Sequence, residues 1–330
     1  MKIEKRWWGE CNGYGIWLYT ITNGRITFSI TNYGCTFLSI FIDGRNVIVG
    51  YKELDDLLAD KWYMNGLVGR FAGRIAGALF TIEGQDHRLS ANDGNSGNHL
   101  HGGEKGFNTI CFREKSQSCD SKLALISFYA VSPDLDQGYP GSLYTGCDIS
   151  LSDHDEIRIV YYANTGKATH INLTHHFYYN LNGIENKTLP GTAQQLAINA
   201  NSVLEADHQF IPTGRILPLA GDMNFTKPTP IPASRAFNDC YLLEKAGPGN
   251  PAAELWDSDH KLCMQLFTSC PGLIFYTGDY LSEPFYPKQG ICLEAQYFPD
   301  TPNHPGFPST LYSPSKQYRE ETLLRFKYTN

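Results

Sequence analysis

Residues 19–30 read YTITNGRITFSI, two segments of alternating apolar and polar residues on either side of the dipeptide Asn23-Gly24. Such alternation is typical of a β-strand, because successive side chains of a strand point to opposite faces of its sheet. An Asn-Gly dipeptide between two strands favours a tight turn, since both residues tolerate a positive φ. The stretch therefore predicts an antiparallel hairpin.

The same pattern recurs along the chain, and helical patterns are scarce. Asp43 precedes Gly44 in IFIDGRNVIV, and Glu83 precedes Gly84 in LFTIEGQDHRLS. The 20 Tyr and 18 Phe residues also favour strands. A helical pattern, YKELDDLLAD at residues 51–60, predicts one short surface helix. We therefore expect an all-β fold built as a large antiparallel sandwich.

The domain organisation predicted from the sequence is simple. No shift in composition marks a linker and no internal repeat is visible, so we expect residues 1–330 to form a single domain. Long loops rich in Pro and Gly are expected at residues 91–107, 244–254 and 299–316. Loops of this length in a compact domain are usually functional.

Charge and composition exclude several classes of partner. The chain carries 27 Lys and Arg against 34 Asp and Glu, a formal charge of −7, which argues against a nucleic-acid partner. Nine cysteines without a C-x-x-C pair suit a reducing compartment better than a disulfide framework. No apolar signal segment and no run of about 18 apolar residues occurs. We therefore expect a cytoplasmic protein that binds neither membranes nor nucleic acid.

The segment HINLTHHFYYNLNG, residues 170–183, is too polar for an ordinary core strand. As a strand it places hydrogen-bonding groups on one face, at Asn172, Thr174, His176, Tyr178 and Asn180. That face suits a polar cleft, whereas the opposite face, which includes His175, is a core face. His176 rather than His175 is therefore the candidate for chemistry. A structural role for both histidines is the alternative.

Two further segments carry candidate site residues. NHLHGGEKGF contains His99 and His101, which would share a strand face or a loop rim among glycines that let the backbone approach a ligand. In ICLEAQYFP, Glu294 and Gln296 share one face of a predicted strand that ends at prolines. Glu294 is placed either for a raised pKa beside a loop or as a charge on an edge strand facing water.

A third segment, GLVGRFAGRIAG, contains Arg70 and Arg74 among small residues. Small neighbours would let a guanidinium reach a ligand hydroxyl or an acidic side chain with its rigid set of donors. An exposed surface position is the commoner environment of an arginine.

Taken together, these segments resemble the aldose 1-epimerase (galactose mutarotase) family. GRFAGRIAGALF, NHLHGGEKGFN, NLTHHFYYNLNG, AFNDCYLL and LEAQYFPDTPNHPGFPSTLYSPSKQYREETLLRF occur in the order of that family and span nearly the whole chain. The resemblance implies a β-supersandwich, two large twisted antiparallel sheets packed face to face, with a sugar in an open cleft. It also implies an enzyme that interconverts the α and β anomers of a free monosaccharide without a cofactor. We expect a monomer or homodimer.

The resemblance also implies residue roles. Glu294 would be the general base that takes the proton of the C1 hydroxyl, and His176 the general acid that protonates the ring oxygen. His101 would hold the substrate near that oxygen, and Arg74 would bind sugar hydroxyls. Opening a hemiacetal needs a base and an acid on either side of the substrate, which fits these residue types.

The chain departs from the family pattern at several positions. His175 stands where the family usually has Asn, Gly73 where many members have Asn, and Ile274 where some members have Gln. In AFNDCYLL, Asn238 aligns with a sugar-binding aspartate while the carboxylate has moved to Asp239, and these two side chains cannot face the same way in an extended backbone. We expect a local bulge to turn Asp239 into the cleft, with Asn238 as the alternative.

Three competing functions deserve a test. A non-catalytic sugar-binding or regulatory protein could share the fold, although binding alone does not require both Glu294 and His176. His101, His176 and Glu294 form a two-histidine, one-carboxylate set that could bind a metal, although no local metal motif supports it. A glycosidase would need two carboxylates, such as Glu294 and Asp300, but Asp300 lies beside a proline and a turn, where it would cap backbone N–H groups.

Overall fold

The structure, a computed structural model, describes residues 1–186, 188–244 and 249–328. The first strands are β1 (Lys2–Cys11), β2 (Tyr14–Thr22), β3 (Ile26–Thr31), β4 (Phe37–Ile42) and β5 (Arg45–Asn46), followed by the helix α1 (Leu54–Leu58). Short strands come next: β6 (Leu67–Val68), β7 (Arg74–Ile75), β8 (Leu79–Ile82), β9 (Gln85–Arg88) and β10 (His99–Leu100).

Longer strands, with a few two-residue strands between them, form the middle of the chain and its end. They are β11 (Arg113–Cys119), β12 (Leu123–Ser132), β13 (Leu143–Ser152), β14 (Glu156–Thr165), β15 (Thr169–His170), β16 (Thr174–His175), β17 (Gln195–Ile198), β18 (Ala200–Ala206), β19 (Pro212–Pro218), β20 (Thr229–Pro230), β21 (Asn238–Leu243), β22 (Ala253–Trp256), β23 (Leu262–Thr268), β24 (Gly272–Tyr276), β25 (Cys292–Gln296), β26 (Leu311–Tyr312) and β27 (Tyr318–Tyr328). Single 3-10 turns lie at Ala76–Ala78, Phe107–Thr109, Asp136–Gly138, Gly221–Met223 and Thr301–Asn303.

One layer of the fold is a nine-stranded antiparallel sheet. Its strand order is β11-β12-β13-β14-β27-β23-β22-β17-β20. The C-terminal strand β27 pairs with β14 on one side and β23 on the other, so the end of the chain joins the two halves of the sheet.

The second layer consists of two five-stranded sheets that a single segment connects. Their orders are β1-β2-β3-β4-β5 and β19-β18-β21-β24-β25. Tyr179 forms antiparallel bridges with Ile48, just after β5, and with Ile291, just before β25. The segment around residues 170–183 therefore runs through the middle of this layer.

The main core lies between the two layers. Tyr19 and Phe37 from the second layer pack there with Phe128 and Ile159 from the nine-stranded sheet, and all four are almost fully buried. The rings of Tyr19 and Phe128 meet edge to face with 5.3 Å between centroids. Two large antiparallel layers around one core confirm the predicted all-β supersandwich.

The predicted hairpins and helix are confirmed. Strands β2 and β3 flank Asn23-Gly24, and Gly24 has a φ of 99°. At the other two turns both central residues have positive φ, 48° and 82° at Asp43-Gly44, and 51° and 81° at Glu83-Gly84, as tight hairpin turns require. Helix α1 lies inside the predicted stretch 51–60.

Two of the three predicted long loops contain a short strand. Residues 91–107 contain β10 and residues 299–316 contain β26. Part of the third predicted loop, residues 245–248, lies outside the described residues. Among the helices in the described part of the chain, none has the length and apolar character needed to cross a membrane.

Candidate active site

A cleft of about 480 Å³ opens on the second layer, on the face turned away from the main core. Along β25, Leu293 and Ala295 face the core whereas Glu294 and Gln296 line the cleft. Strand β24 behaves in the same way, with Ile274 lining the cleft. The alternation of a strand thus divides core residues from site residues.

Glu294 lies on the floor of this cleft and is 3% exposed. This burial raises its pKa to about 8, because the charged carboxylate loses hydration, and the charge of Arg74 opposes the shift only in part. Its Oε2 atom has no hydrogen-bond partner among the described residues. The predicted shared face with Gln296 is confirmed, and the alternative of a water-exposed edge charge is wrong.

His176 lies beside Glu294, on the other side of β25 from β24. Its Nε2 atom is 3.6 Å from Oε1 of Glu294, and its Nδ1 atom is 3.6 Å from the sulfur of Cys292. The ring stacks on Tyr178 with 5.0 Å between centroids. Burial lowers the pKa of His176 to about 4. With the pKa of Glu294 near 8, the pair holds one proton at neutral pH, and that proton is on Glu294.

His175 faces the core, as the alternation predicts. Its Nδ1 is 3.0 Å from the hydroxyl of Tyr161, and its Nε2 is 3.0 Å from the carbonyl oxygen of Cys35. Both ring nitrogens are therefore occupied by buried partners, and this histidine has a structural role.

The predicted polar strand itself needs correction. Within it only His170, at the end of β15, and the two residues of β16 lie in strands, paired with β26 and β6, and residues 170–181 are buried on both faces. His176 and Tyr178 line the cleft, but Asn172 and Asn180 do not. Their side-chain amides instead donate hydrogen bonds to backbone carbonyls. The amide of Asn172 donates to the carbonyl oxygen of Ala72 at 2.9 Å. A buried segment with few ladder bonds needs such side chains to satisfy its neighbours' backbone groups.

His101 completes a cluster with His176 and Glu294. It adopts a left-handed backbone conformation, with φ of 51°, and its Nδ1 accepts a hydrogen bond of 3.2 Å from the backbone N–H of Gly73. Burial lowers its pKa well below the usual range, so the ring is neutral. Because Nδ1 is an acceptor, the proton is on Nε2, which can donate to a ligand.

His99 does not share this site. Its Nδ1 is 2.7 Å from the carbonyl oxygen of Ser90, and its Nε2 is 2.8 Å from the hydroxyl of Tyr139. Of these two histidines, only two residues apart, His99 therefore has a structural role and His101 lines the cleft.

The two arginines of the third segment also separate. Arg74 lines the cleft, where its Nε atom donates to Asp93 at 2.8 Å and its guanidinium lies over the ring of Phe210. Arg70 is 2% exposed and donates to backbone carbonyls, including that of Gly141 at 2.8 Å. Arg74 is therefore available at the cleft wall, and Arg70 holds a loop in place.

The expectation of a bulge at residues 238 and 239 is wrong. Asn238 pairs with Tyr276 and Asp239 with Phe275 in an unbroken register, so Asn238 faces the cleft. The carboxylate of Asp239 does not line the cleft and forms an ion pair with Arg235 at 3.3 Å. Regular ladder bonds with β24 keep the two side chains on opposite faces.

Asp300 has the capping role expected from its turn. Its Oδ1 accepts a hydrogen bond of 2.9 Å from the backbone N–H of Ala76, and Oδ2 is 3.3 Å from Nε2 of His304. Asp300 does not line the cleft. Glu294 and Asp300 therefore do not form the pair of carboxylates that a glycosidase needs.

The cluster could also offer ligands to a metal ion. His101, His176 and Glu294 each present one ligand atom, and these atoms lie within 4.8 Å of one another. The ligand atoms of a tetrahedral metal site lie about 3.5 Å apart. Any two atoms of the cluster that are farther apart than this would have to move closer to bind an ion. The chemistry of the set, two imidazoles and one carboxylate, is compatible with such an ion.

Several cleft residues are not apparent from local sequence patterns. Phe210 and His208 come from a loop between β18 and β19, and Tyr280 from a loop after β24. Cys240 lies two residues after Asn238 on the same face of β21, so strand alternation identifies it once Asn238 is placed.

Comparisons with known proteins place the chain in a family. The sequence matches the family model described as "Aldose 1-epimerase" over residues 18–325. It is 30% identical over 328 residues to a protein of Sus scrofa named galactose mutarotase, with 93% of each chain covered. It is also 30% identical over 330 residues to a protein of Escherichia coli (strain K12) named aldose 1-epimerase, with 92% of this chain and 93% of that chain covered.

Solved structures share the fold. A galactose 1-epimerase from Lactobacillus acidophilus NCFM has a TM-score of 0.88 at 24% identity, covering 100% of this chain and 99% of that one. An aldose epimerase homologue from C. elegans has a TM-score of 0.85 at 20% identity, covering 95% of this chain and 99% of that one. The two-layered architecture is therefore one that these proteins have in common.

Proposed function

We propose, since this chain belongs to the aldose 1-epimerase family, that it is a mutarotase, an enzyme that interconverts the α and β anomers of a free aldose. The observation that carries this proposal is the buried pair of Glu294 and His176, 3.6 Å apart on the cleft floor. A base and an acid at this separation can serve two oxygen atoms bonded to the same carbon.

The pair supplies the proton transfers that ring opening needs. Glu294 takes the proton of the C1 hydroxyl while His176 gives a proton to the ring oxygen, so the C1–O5 bond breaks and an aldehyde forms. After rotation about C1–C2, the C5 hydroxyl attacks the other face of the aldehyde and both protons return. The pair therefore carries one proton before and after each step, on His176 before ring opening and on Glu294 after it. The pKa values place this proton on Glu294 in the free site, so ring opening proceeds from the tautomer in which it has moved to His176.

Neighbouring groups would bind and orient the sugar. The Nε2–H of His101 is placed to donate near the ring oxygen, and Arg74, held by Asp93, to donate to hydroxyls. We assign substrate binding to Asn238 as well, because its amide lines the cleft. No step of this chemistry requires a cofactor or a metal.

The same proposal is consistent with the charge of the chain and with its free cysteines. A free monosaccharide is a small neutral substrate, which is consistent with a chain of formal charge −7. All nine cysteines are free thiols, which supports a cytoplasmic location. The oligomeric state, monomer or homodimer, stays a prediction to be measured by light scattering.

Polarimetry or NMR exchange spectroscopy over a panel of aldoses tests the proposed function. We expect anomer exchange well above the buffer rate for at least one aldose, and no change in that rate after treatment with EDTA. Exchange at the buffer rate for every sugar, with the protein shown to be folded, would refute catalysis. If sugars nevertheless bind, the non-catalytic alternative is favoured. A loss of activity with EDTA that zinc or another divalent ion restores would favour the metal alternative instead.

The rate is expected to depend on pH through the shared proton. Between the pKa of His176, about 4, and that of Glu294, about 8, the pair holds one proton and kcat/KM should be level. Above about pH 8 the pair loses this proton, so kcat/KM should fall by about tenfold per pH unit. Initial rates corrected for exchange in buffer alone measure the profile. A rate that rises through pH 8 would show that His176 does not supply the proton.

The register of β21 predicts different effects for two adjacent substitutions. Asn238→Ala should raise KM by roughly fivefold to tenfold, since about one hydrogen bond to the sugar is lost. Asp239→Ala should change KM by less than about twofold, because this carboxylate pairs with Arg235 outside the cleft. Steady-state kinetics of both variants on the best aldose make the comparison. A larger KM effect at residue 239 would mean that the register differs in solution.

A further inference from the structure

An apolar row of side chains crosses the floor of the cleft beside the proposed base. Ile274 is the cross-strand partner of Glu294, and Cys240 is the cross-strand partner of Ile274. The pairing of Val203 with Tyr241 places Leu204 next to Cys240 in the same row. Adjacent strands lie about 4.8 Å apart. Going from Glu294 across β24, β21 and β18, the cleft surface is therefore apolar between about 5 and about 15 Å from Glu294.

The hydrogen-bonding groups lie elsewhere in the cleft. Asn238 belongs to the neighbouring row, beside Tyr276. On the other side of the apolar row, Gln296 is fully buried and its Oε1 has no partner among the described residues. A Cβ atom on Gly73 would lie 3.1 Å from the Nε2 of Gln296, so the glycine leaves room for this amide beside the cleft. Thus polar groups flank the apolar row but do not belong to it.

The orientation of the sugar follows from the positions of the acid and the base. Tyr179 bridges to Ile291, so the segment carrying His176 runs along one side of β25, while β24 with Ile274 runs along the other. Glu294 therefore lies between His176 and Ile274. When O1 meets Glu294 and the ring oxygen meets His176, the carbons remote from the ring oxygen, C2 and C3, lie towards Ile274 and Cys240.

A hydroxyl pressed against this row would be poorly satisfied. Ile274 offers no hydrogen-bonding atom, and burial raises the pKa of the Cys240 thiol, which therefore stays neutral and is only a weak partner. A buried hydroxyl without a partner disfavours binding, whereas a C–H group at the same place packs favourably.

We propose that this chain prefers deoxy aldoses, namely sugars that lack the hydroxyl at C2 or C3, over their fully hydroxylated parents. This preference rests on the proposed mutarotase function and names its substrate class. It originates in the row of Ile274, Cys240 and Leu204, which directs apolar surface at one edge of the sugar ring.

Matched pairs of sugars test the preference. The value of kcat/KM is measured for glucose, 2-deoxyglucose and 3-deoxyglucose. The kcat/KM of each deoxy sugar is divided by that of glucose, and this ratio is then divided by the ratio of their exchange rates in buffer, which removes the difference in intrinsic reactivity. We expect at least one of the two deoxy sugars to be preferred by about fivefold or more, the factor that about one unsatisfied hydroxyl represents. Corrected ratios at or below one for both deoxy sugars would overturn the proposal.

Two variants connect the preference to the row. Ile274→Gln adds an amide beside Glu294 and should shift the ratio by at least fivefold towards the hydroxylated parent. Ile274→Val, the matched control, adds no hydrogen-bonding group and should leave the ratio within about twofold. Equal shifts in both variants would show that side-chain volume, not hydrogen bonding, sets the preference, and would also overturn the proposal.

A binding measurement separates this proposal from the proposed catalysis. Methyl glycosides of the same sugars cannot open, so their dissociation constants, obtained by NMR titration, do not depend on turnover. We expect a methyl 2-deoxyglucoside or methyl 3-deoxyglucoside to bind about fivefold more tightly than the methyl glucoside. If no aldose exchanges anomers, mutarotase function fails, and these constants still decide the substrate class. Equal or weaker binding of both deoxy glycosides would refute it.

Discussion

Replacing Glu294 with Gln is expected to lower kcat by at least about a hundredfold while KM changes little. The amide has the same shape as the carboxyl group but cannot accept the proton of the C1 hydroxyl, and loss of a positioned general base typically costs this much. Steady-state anomer exchange on the best aldose measures the effect. NMR titration with the matching methyl glycoside checks that the cleft still binds sugar.

Stability provides the control for this variant. Burial raises the pKa of Glu294 from its usual value near 4.5 to about 8, so the folded protein loses stability as pH rises through this range. Glutamine carries no such cost. The melting temperature of Glu294→Gln should therefore equal or exceed that of the unmodified protein above neutral pH. A variant that keeps kcat within tenfold would exclude Glu294 as the base.

His176→Asn is expected to lower kcat by a similar factor of about a hundred or more. Asparagine cannot give a proton to the ring oxygen, and it removes the ring that stacks on Tyr178 and lies 3.6 Å from Glu294. Adjacent His175 supplies a matched control in the same segment. Its ring bonds the hydroxyl of Tyr161 and the carbonyl of Cys35, away from the cleft.

The two histidine variants should therefore affect different properties, kcat for His176→Asn and the stability of the fold for His175→Asn. His175→Asn should destabilise the fold by roughly 1–3 kcal/mol, because buried groups lose their partners, but the folded enzyme should keep kcat within about threefold. Thermal unfolding and anomer exchange, measured on both variants below their melting temperatures, distinguish these effects. Equal losses of kcat at residues 175 and 176 in folded protein would contradict the assignment of opposite faces.

Features that depend on neighbouring residues are predictable from the sequence. A turn dipeptide and the alternation around it involve only local backbone geometry, so the hairpins at Gly24, Gly44 and Gly84 follow from the sequence. The same alternation assigns His176 and His175 to opposite faces, and the structure confirms that only His176 lines the cleft. The family motifs add the roles proposed for these residues, which local patterns do not contain.

Features that depend on distant strands are decided by tertiary structure. Asn238 rather than Asp239 faces the cleft because β21 keeps its register with β24, more than 30 residues further along the chain. Asn172 leaves the predicted polar face because a buried backbone carbonyl, that of Ala72, needs its amide.

The chemistry of the site divides in the same way. The sequence by itself determines which side chains are present and which of them alternate on one strand, including Glu294 and Gln296 on β25. The pKa of Glu294 depends instead on the water excluded by residues from other strands and loops, such as Tyr178 and Tyr276. Ile274 and Cys240 likewise become one apolar row only when β21, β24 and β25 pair. Desolvation and cross-strand neighbours are properties of the assembled sheet, because each is produced by residues far apart in the chain.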